Sequence, residues 1–262
     1  MTTTFLQRCA YFGILIGLVV ANGAYAQINS VVYHPREYND VPGATLTTVA
    51  NYDSLILFRE QNVSAPAGFA NRDVWRFSSD GGTTAYQLQN NGFFQVSMTL
   101  QLNASSLAPR REAGFLFDTL GGQGQFLVNT DSHEIVVFGG PLPFYSFNVS
   151  NGLTYNSGDI ITLGMSYFQS GGPGINSIIY SVNGVNSPPL AFGNLEHGII
   201  NGSTLGGYFQ IVNAPGDPLN TGEAVFQNIS IVVPEPSTFA LLSLGILPLG
   251  LLLRRRRANP SF

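Results

Sequence analysis

FFQVSMTLQL, residues 93–102, decides the fold. Phe94, Val96, Met98, Leu100 and Leu102 alternate with Gln95, Ser97, Thr99 and Gln101, and a period of two sends every second side chain to the same face of an extended chain. The stretch therefore reads as a strand with one face in a core and the other in water. Working outward, the same rhythm recurs at residues 54–58, 73–77, 113–117, 125–128, 134–138, 144–149, 159–168, 176–182, 207–212 and 224–232, nearly always between turn residues. Asn183-Gly184 follows SIIYSV and predicts a two-residue hairpin, because a type I′ turn needs positive φ at both central positions. No run of helical period longer than a turn or two occurs between residues 27 and 233. The pattern predicts an all-β chain, an antiparallel two-sheet β-sandwich, with closure into one barrel as the minor alternative.

Composition sets the outer bounds. The chain has 262 residues, 44% of them apolar and 10% charged, with 30 Gly and 15 Pro, which suits a foldable, turn-rich domain. Lysine is absent, and over residues 27–233 six arginines face 14 carboxylates, a net charge of −8. Such a surface excludes the basic footprint of a nucleic-acid-binding protein and disfavours anionic lipid. Cys9 is the only cysteine and precedes an apolar run, so it does not fit a lipoprotein anchor. Once a leader is removed, no thiol remains for a disulfide, a thiolate metal site or a nucleophile.

The two ends read as addresses. Arg8, an apolar run over residues 10–20, and Ala24-Tyr25-Ala26 before Gln27 make the three-part pattern of a secretory signal peptide, cut by signal peptidase after Ala26. Its run of about 11 apolar residues would span about 17 Å, against a hydrocarbon core of about 30 Å. At the other end Pro234 and Pro236 flank Glu235, Ser237 or Thr238 can cap a helix, and residues 239–253 are apolar as in a C-terminal transmembrane helix. Arg254, Arg255, Arg256 and Arg257 close it on the positive, cytoplasmic side. This tail resembles the PEP-CTERM sorting signal recognised by exosortases. The resemblance implies removal of the tail near residues 234–236 and a transient stay in the inner membrane. It further implies delivery to the cell surface or extracellular matrix of a polysaccharide-producing Gram-negative bacterium. The expected organisation is a signal peptide over 1–26, one β-sandwich domain over 27–233 and a sorting signal over 234–262.

The order FFQVSMTLQL, REAGFLFDT, FLVNTDSHEIVVFGG, GDIITLGMSYF, SIIYSVNG and AVFQNISIVV resembles a concanavalin A-like or laminin-G-like jelly roll. That resemblance implies a closing strand beside an early one, and sugars or calcium held on a concave sheet or its loops. Extracellular polysaccharide is thus the expected partner. Loop-bound calcium stays open, and no other cofactor is expected.

Catalytic patterns are sparse. Glycosidases need two carboxyl groups about 5 to 9.5 Å apart across the scissile bond, and no Glu-x-Asp-x-x-Glu stretch supplies them. Glu112 and Asp118 share strand parity, yet six residues at about 3.3 Å separate them by about 20 Å. They read as solvated strand-end acids. The candidate ligand surface combines them with Gln95, Thr99 and Gln101, whose amides and hydroxyl suit a polyhydroxylated ligand. Asp131-Ser132-His133-Glu134 reads as a polar turn, Trp75 as core beside Phe77, and His34 and His197 have no zinc spacing. No Gly-x-Ser-x-Gly elbow or phosphate cradle appears. The sequence therefore points to a non-enzymatic carbohydrate-binding, adhesive or structural protein without catalytic or metal residues. A secreted carbohydrate-active enzyme, hydrolase or lyase, on the same fold is the alternative, and a passive coat protein the third.

Overall fold

The structure is a computed structural model that describes residues 27–88, 94–169, 176–192 and 202–233. Gln27–Val233 is one compact unit. The signal-peptide residues Ala24 and Ala26 lie outside the described residues. So do Pro234, Glu235, Pro236, the 239–253 segment, Arg254 to Arg257 and His197.

Strands in chain order are β1 (Ser30–Asn39), β2 (Thr45–Asn51), β3 (Leu55–Gln61), β4 (Ala70–Ser78), β5 (Phe94–Ala104), β6 (Arg111–Thr119), β7 (Gly122–Asn129) and β8 (Ile135–Phe138). There follow β9 (Tyr145–Ser146), β10 (Ile160–Gln169), β11 (Asn176–Val182), β12 (Val185–Asn186), β13 (Leu190–Ala191), β14 (Thr204–Val212) and β15 (Gly222–Val232). They pair antiparallel in two sheets. One runs β1-β4-β14-β6-β7-β8-β9, the other β12-β11-β10-β5-β15-β3-β2, with β13 also on β11. The closing strand β15 lies beside β5 and β3, so the chain is an all-β, two-sheet sandwich with jelly-roll crossovers.

Alternation places the core where the opening stretch predicts. Phe94, Val96, Met98, Leu100 and Leu102 of β5 are all buried, and Gln95 opposite them is exposed. Aromatic side chains join the sheets: Tyr33 stacks on Phe58 at 5.1 Å, Trp75 meets Phe226 edge-on at 5.8 Å, and Phe126 meets Tyr180 at 5.6 Å. Such pairs contribute about 0.5–1.5 kcal/mol beyond burial of area. Asn183 and Gly184 take φ of 50° and 83°, as the β11–β12 hairpin requires.

Two local expectations need correction. Residues 144–149 form not one strand but the short β9 followed by a helix, α1 (Phe147–Asn151). Ser146 Oγ accepts the Val149 N–H, and Gly152 ends the turn in the left-handed region, so cap chemistry overrides a short apolar run. Residues 30–39 and 45–51, whose patterns carry no alternation, are strands β1 and β2.

The sandwich interior is polar at one end. Arg36 sits at a break in the β1 register with φ 57°, and its N–H donates to Asp73 Oδ1 at 2.8 Å. Its guanidinium pairs with Glu60 Oε2 at 3.0 Å and donates to the carbonyls of Pro42 and Ala44. Asn71 Nδ2 bonds Glu60 and the Val41 carbonyl. Glu60 and Asp73 are fully buried, and Asp73 Oδ2 has no partner. Both carboxylates thus lean on Arg36, Glu60 on its guanidinium and Asp73 on its main-chain N–H.

Candidate functional site

The outer face of the seven-stranded sheet carries the candidate site. On β4, Asp73, Trp75 and Phe77 point inward, so Arg72, Val74 and Arg76 point outward. Register then fixes their neighbours. Gln210 of β14 lies opposite Arg72 and Glu112 of β6 opposite Gln210; one step along, Tyr208 lies opposite Val74. Val74, Tyr208, Leu116, Leu127 and Val136 form an apolar cluster on this face. Gly114 stands between Tyr208 and Leu127, and a Cβ there would strike the Phe126 backbone, so only glycine lets the strands close.

Arg72 is the centre of the polar part. It is 2% exposed, and its guanidinium lies 4.6 Å from the Tyr208 ring and 5.2 Å from the Tyr38 ring. Nη1 donates to Gln123 Oε1 at 3.0 Å. Among the described residues, Nε and Nη2 are buried without a hydrogen-bond partner. Its nearest ion-pair carboxylate, Glu37, stands off at 4.0 Å. A guanidinium normally fills its fork with a carboxylate or phosphate, and here two donors remain free. Tyr38 and Gln123 are exposed and bring the cluster to solvent.

Beside it, the Tyr208 hydroxyl donates to Glu112 Oε1 at 3.3 Å. Burial pushes the Glu112 carboxyl above its ordinary range, while Arg110 at 3.6 Å and Arg72 restrain it. Burial and the Glu112 charge push the Tyr208 phenol well above its usual value, so it stays protonated. Glu112 is 5% exposed, which corrects its reading as a solvated strand-end acid: its strand is buried on both faces. Asp118 is half-buried and does share that face, bonded to Arg76 Nε at 2.7 Å, with Glu37 on the same guanidinium at 3.0 Å. Arg110 gathers Glu112, Asp131 at 3.2 Å and Glu134 at 3.6 Å.

The residues picked from sequence do not converge. Gln95, Thr99 and Gln101 lie on the outer face of the eight-stranded sheet, where Gln101 bonds the Gly158 carbonyl and Thr99 accepts from Asn228. Glu112 and Asp118 lie on the other sheet. Residues 131–134 form the β7–β8 hairpin, with His133 Nδ1 against the Tyr155 carbonyl. Among the described residues no three His, Cys, Asp or Glu side chains come together as a metal set. Sequence reasoning missed Arg72, Tyr208 and Gln123. The available signal was the Arg72/Arg76 spacing in NRDVWRF, which puts two cations on one face of a strand.

Neither protein-family models nor curated proteins match the chain. Solved structures share its fold. An alginate lyase of polysaccharide lyase family 7, A1-II′, is 11% identical over 81% of this chain and all of that one, with a TM-score of 0.49. The endo-1,3-β-glucanase of Streptomyces sioyaensis is 13% identical over 82% and 94%, TM-score 0.47. The alginate lyase from Corynebacterium sp. is 13% identical over 79% and 94%, TM-score 0.47. These likenesses are of fold. The expectation of a non-enzyme meets a contrary finding here, since these three structures are of two alginate lyases and a glucanase. That expectation came from seeking paired carboxylates along one strand, whereas Glu112 and Tyr208, which meet on this face, come from β6 and β14.

Proposed function

We propose that the Gln27–Val233 domain is a carbohydrate-active enzyme that takes an acidic polysaccharide on the outer face of its seven-stranded sheet. The observation that carries this reading is the buried Arg72 fork with two free donors between Tyr38 and Tyr208. A uronate carboxylate fits that fork, and the Gln123 amide beside it suits sugar hydroxyls. The exposed aromatic face of Tyr38 adds surface for a sugar ring.

Cleavage by elimination is the reaction class these groups support best. A proton leaves the carbon next to the carboxylate, the glycosidic C–O bond breaks, and a C=C bond forms. Arg72 stabilises the carboxylate as charge builds on it. Glu112, when ionised, is the carboxylate available as base, and protonated Tyr208 is the acid for the departing oxygen. Hydrolysis would need a second free carboxyl. Near Arg72, among the described residues, Glu37 and Asp118 are instead held by Arg76.

We also propose that the chain is exported with its 1–26 leader removed, sorted through the 234–262 tail by an exosortase, and active in the extracellular polysaccharide of a Gram-negative host. Paired addresses at the two ends support this. The test incubates purified protein with alginate, polygalacturonate and neutral β-1,3-glucan. Ultraviolet absorbance of a new conjugated double bond from a uronate polymer, lost in Arg72→Met, supports the reading. Reducing ends without that absorbance, or cleavage of the neutral glucan alone, overturns it.

A further inference from the structure

Among the described residues the two sheets have four edges, and three are guarded. β1 carries Pro35, a register break and the charged Arg36 and Glu37. β9 and β12 are two residues long, and β9 runs straight into α1. Proline, charge, irregular register and brevity are the devices that keep an edge from pairing with another chain. β2 has none of them.

β2 is seven residues long, TLTTVAN, without charge or proline, and pairs with β3 in unbroken register from Thr45↔Gln61 to Asn51↔Leu55. Six of its seven residues are exposed, and Leu46 is half-buried. Its side chains therefore contribute almost nothing to the core. Among the described residues β3 is its only strand partner. Every second N–H and C=O along it points away from β3.

We propose that β2 is a self-association edge that pairs antiparallel with β2 of a second copy of this chain, about a two-fold axis at Thr48. The segment is self-complementary in that register: Thr45 faces Asn51, Leu46 faces Ala50, Thr47 faces Val49, and Thr48 faces itself. An isologous contact of this kind closes at two copies. About six to eight main-chain hydrogen bonds form across seven residues, depending on which set points outward. Charge explains why this edge suits a second copy. A domain of net charge −8 repels itself, yet the contact strand is neutral, so no like charges stand opposite one another. The first charged side chains on the adjoining strands are Arg59 and Glu60, and the two β3 strands would lie three spacings apart, about 14 Å, beyond the Debye length of about 8 Å at physiological salt. The result is one continuous sheet through both copies. The inference rests on this edge and not on the Arg72 site.

The experiment uses the full chain in mild detergent, followed by sedimentation velocity. Thr48→Lys and Thr48→Glu, each alone, place like charges on the axis and weaken association about tenfold; mixing the two restores it. Thr48 is exposed, and because its hydroxyl also meets that of Tyr33, wild-type circular dichroism is checked in both variants. In a Cys9→Ser background, Thr48→Cys cross-links across the axis, where Cα atoms lie about 4.5–5.5 Å apart, within disulfide reach. Thr45→Cys, about 20 Å from its own copy in this register, does not. A wild type that stays monomeric overturns the proposal. So does a dimer untouched by Thr48→Lys, or equal cross-linking at positions 45 and 48, which would place the contact elsewhere.

Discussion

The buried carboxylate pair predicts that the folded domain loses stability as pH rises. Desolvation is the largest cause for both: Glu60 is pushed up to about 7, helped by the Asp73 charge and restrained by Arg36, and Asp73 is pushed up to about 6, restrained by the Arg36 N–H and charge. A carboxyl whose folded pKa lies above its unfolded value holds its proton longer in the folded state, so stability is highest below the ordinary range near 4 and falls as pH climbs through 6 to 7. For Glu60, moving from 4.5 to about 7 costs about 3 kcal/mol at pH 8, and Asp73 costs about the same. The two face one guanidinium and do not add independently, which leaves about 3–6 kcal/mol in total. For a domain of about 200 residues, where 1 kcal/mol moves Tm by about 2–4 °C, the smaller figure alone is about 6–12 °C between pH 5 and pH 8. Asp40 and Asp80 are lowered by hydrogen bonds and act in the opposite sense, but only as pH falls through and below their ordinary range. Glu112, also raised by burial, acts in the same sense as the pair, so a variant at Glu60 separates the two contributions. Glu60→Gln keeps the hydrogen-bonding shape and removes one charge, leaving Arg36 with Asp73. Thermal unfolding should show the variant matching wild type at pH 5 and exceeding it at pH 8. A wild-type profile that is flat or rising over that window, or a variant that loses more at pH 8 than at pH 5, refutes the reasoning.

Other consequences can be checked separately. Arg72→Met keeps the stem and removes the fork, and should lower kcat/KM on a uronate polymer by about 100-fold or more, the scale of a lost transition-state donor, with little change in Tm. Tyr208→Phe and Glu112→Gln should each cut kcat more than they raise KM, and equal losses in KM alone would deny them an acid–base role. Gly206→Ala puts a Cβ on the Trp75 carbonyl of the neighbouring strand and should cost about 1–3 kcal/mol in denaturant unfolding. Mass spectrometry of protein recovered from outside the host cell should find Gln27 at the N-terminus and no Arg254–257 cluster. Intact ends in that material would discard the export route.

The β5 pattern made the fold legible because that strand is buried on one face only, so hydrophobicity and parity say the same thing. Where a strand is buried on both faces the code fails. Both faces of β4, β6 and β14 are buried, so nothing in composition distinguishes a polar residue that turns outward, such as Arg72, from one that turns inward, such as Asp73. Glu112 and Asp118 were legible as sharing a face, since parity is local. That Glu112 would meet Tyr208, 96 positions away, depends on β14 inserting between β4 and β6, a crossover no local pattern encodes. β1 and β2 escaped for a different reason. One is broken by Pro35 and a bulge, and the other is exposed on both faces, so neither has an apolar stripe to read.

The strand β4 joins the two polar systems and sets how they must be separated in experiment. Asn71 and Asp73 turn inward to Glu60 and Arg36, while Arg72 between them turns outward to Gln123 and Tyr208. Successive residues thus belong to the buried polar system on one face and to the proposed ligand site on the other. A pH profile of activity on the wild type would mix the ionisation of Glu112 with loss of folded protein through Glu60 and Asp73, all three groups being raised by burial. Glu60→Gln resolves the mixture, because it touches only the inward system. Glu112 as base makes activity rise with pH, on the acid limb, whereas Glu60 and Asp73 lower stability on the alkaline side. If the acid limb stays in place in Glu60→Gln while the alkaline stability limb moves, the acid limb belongs to the outer face; if the acid limb moves too, Glu112 loses its claim as the titrating base.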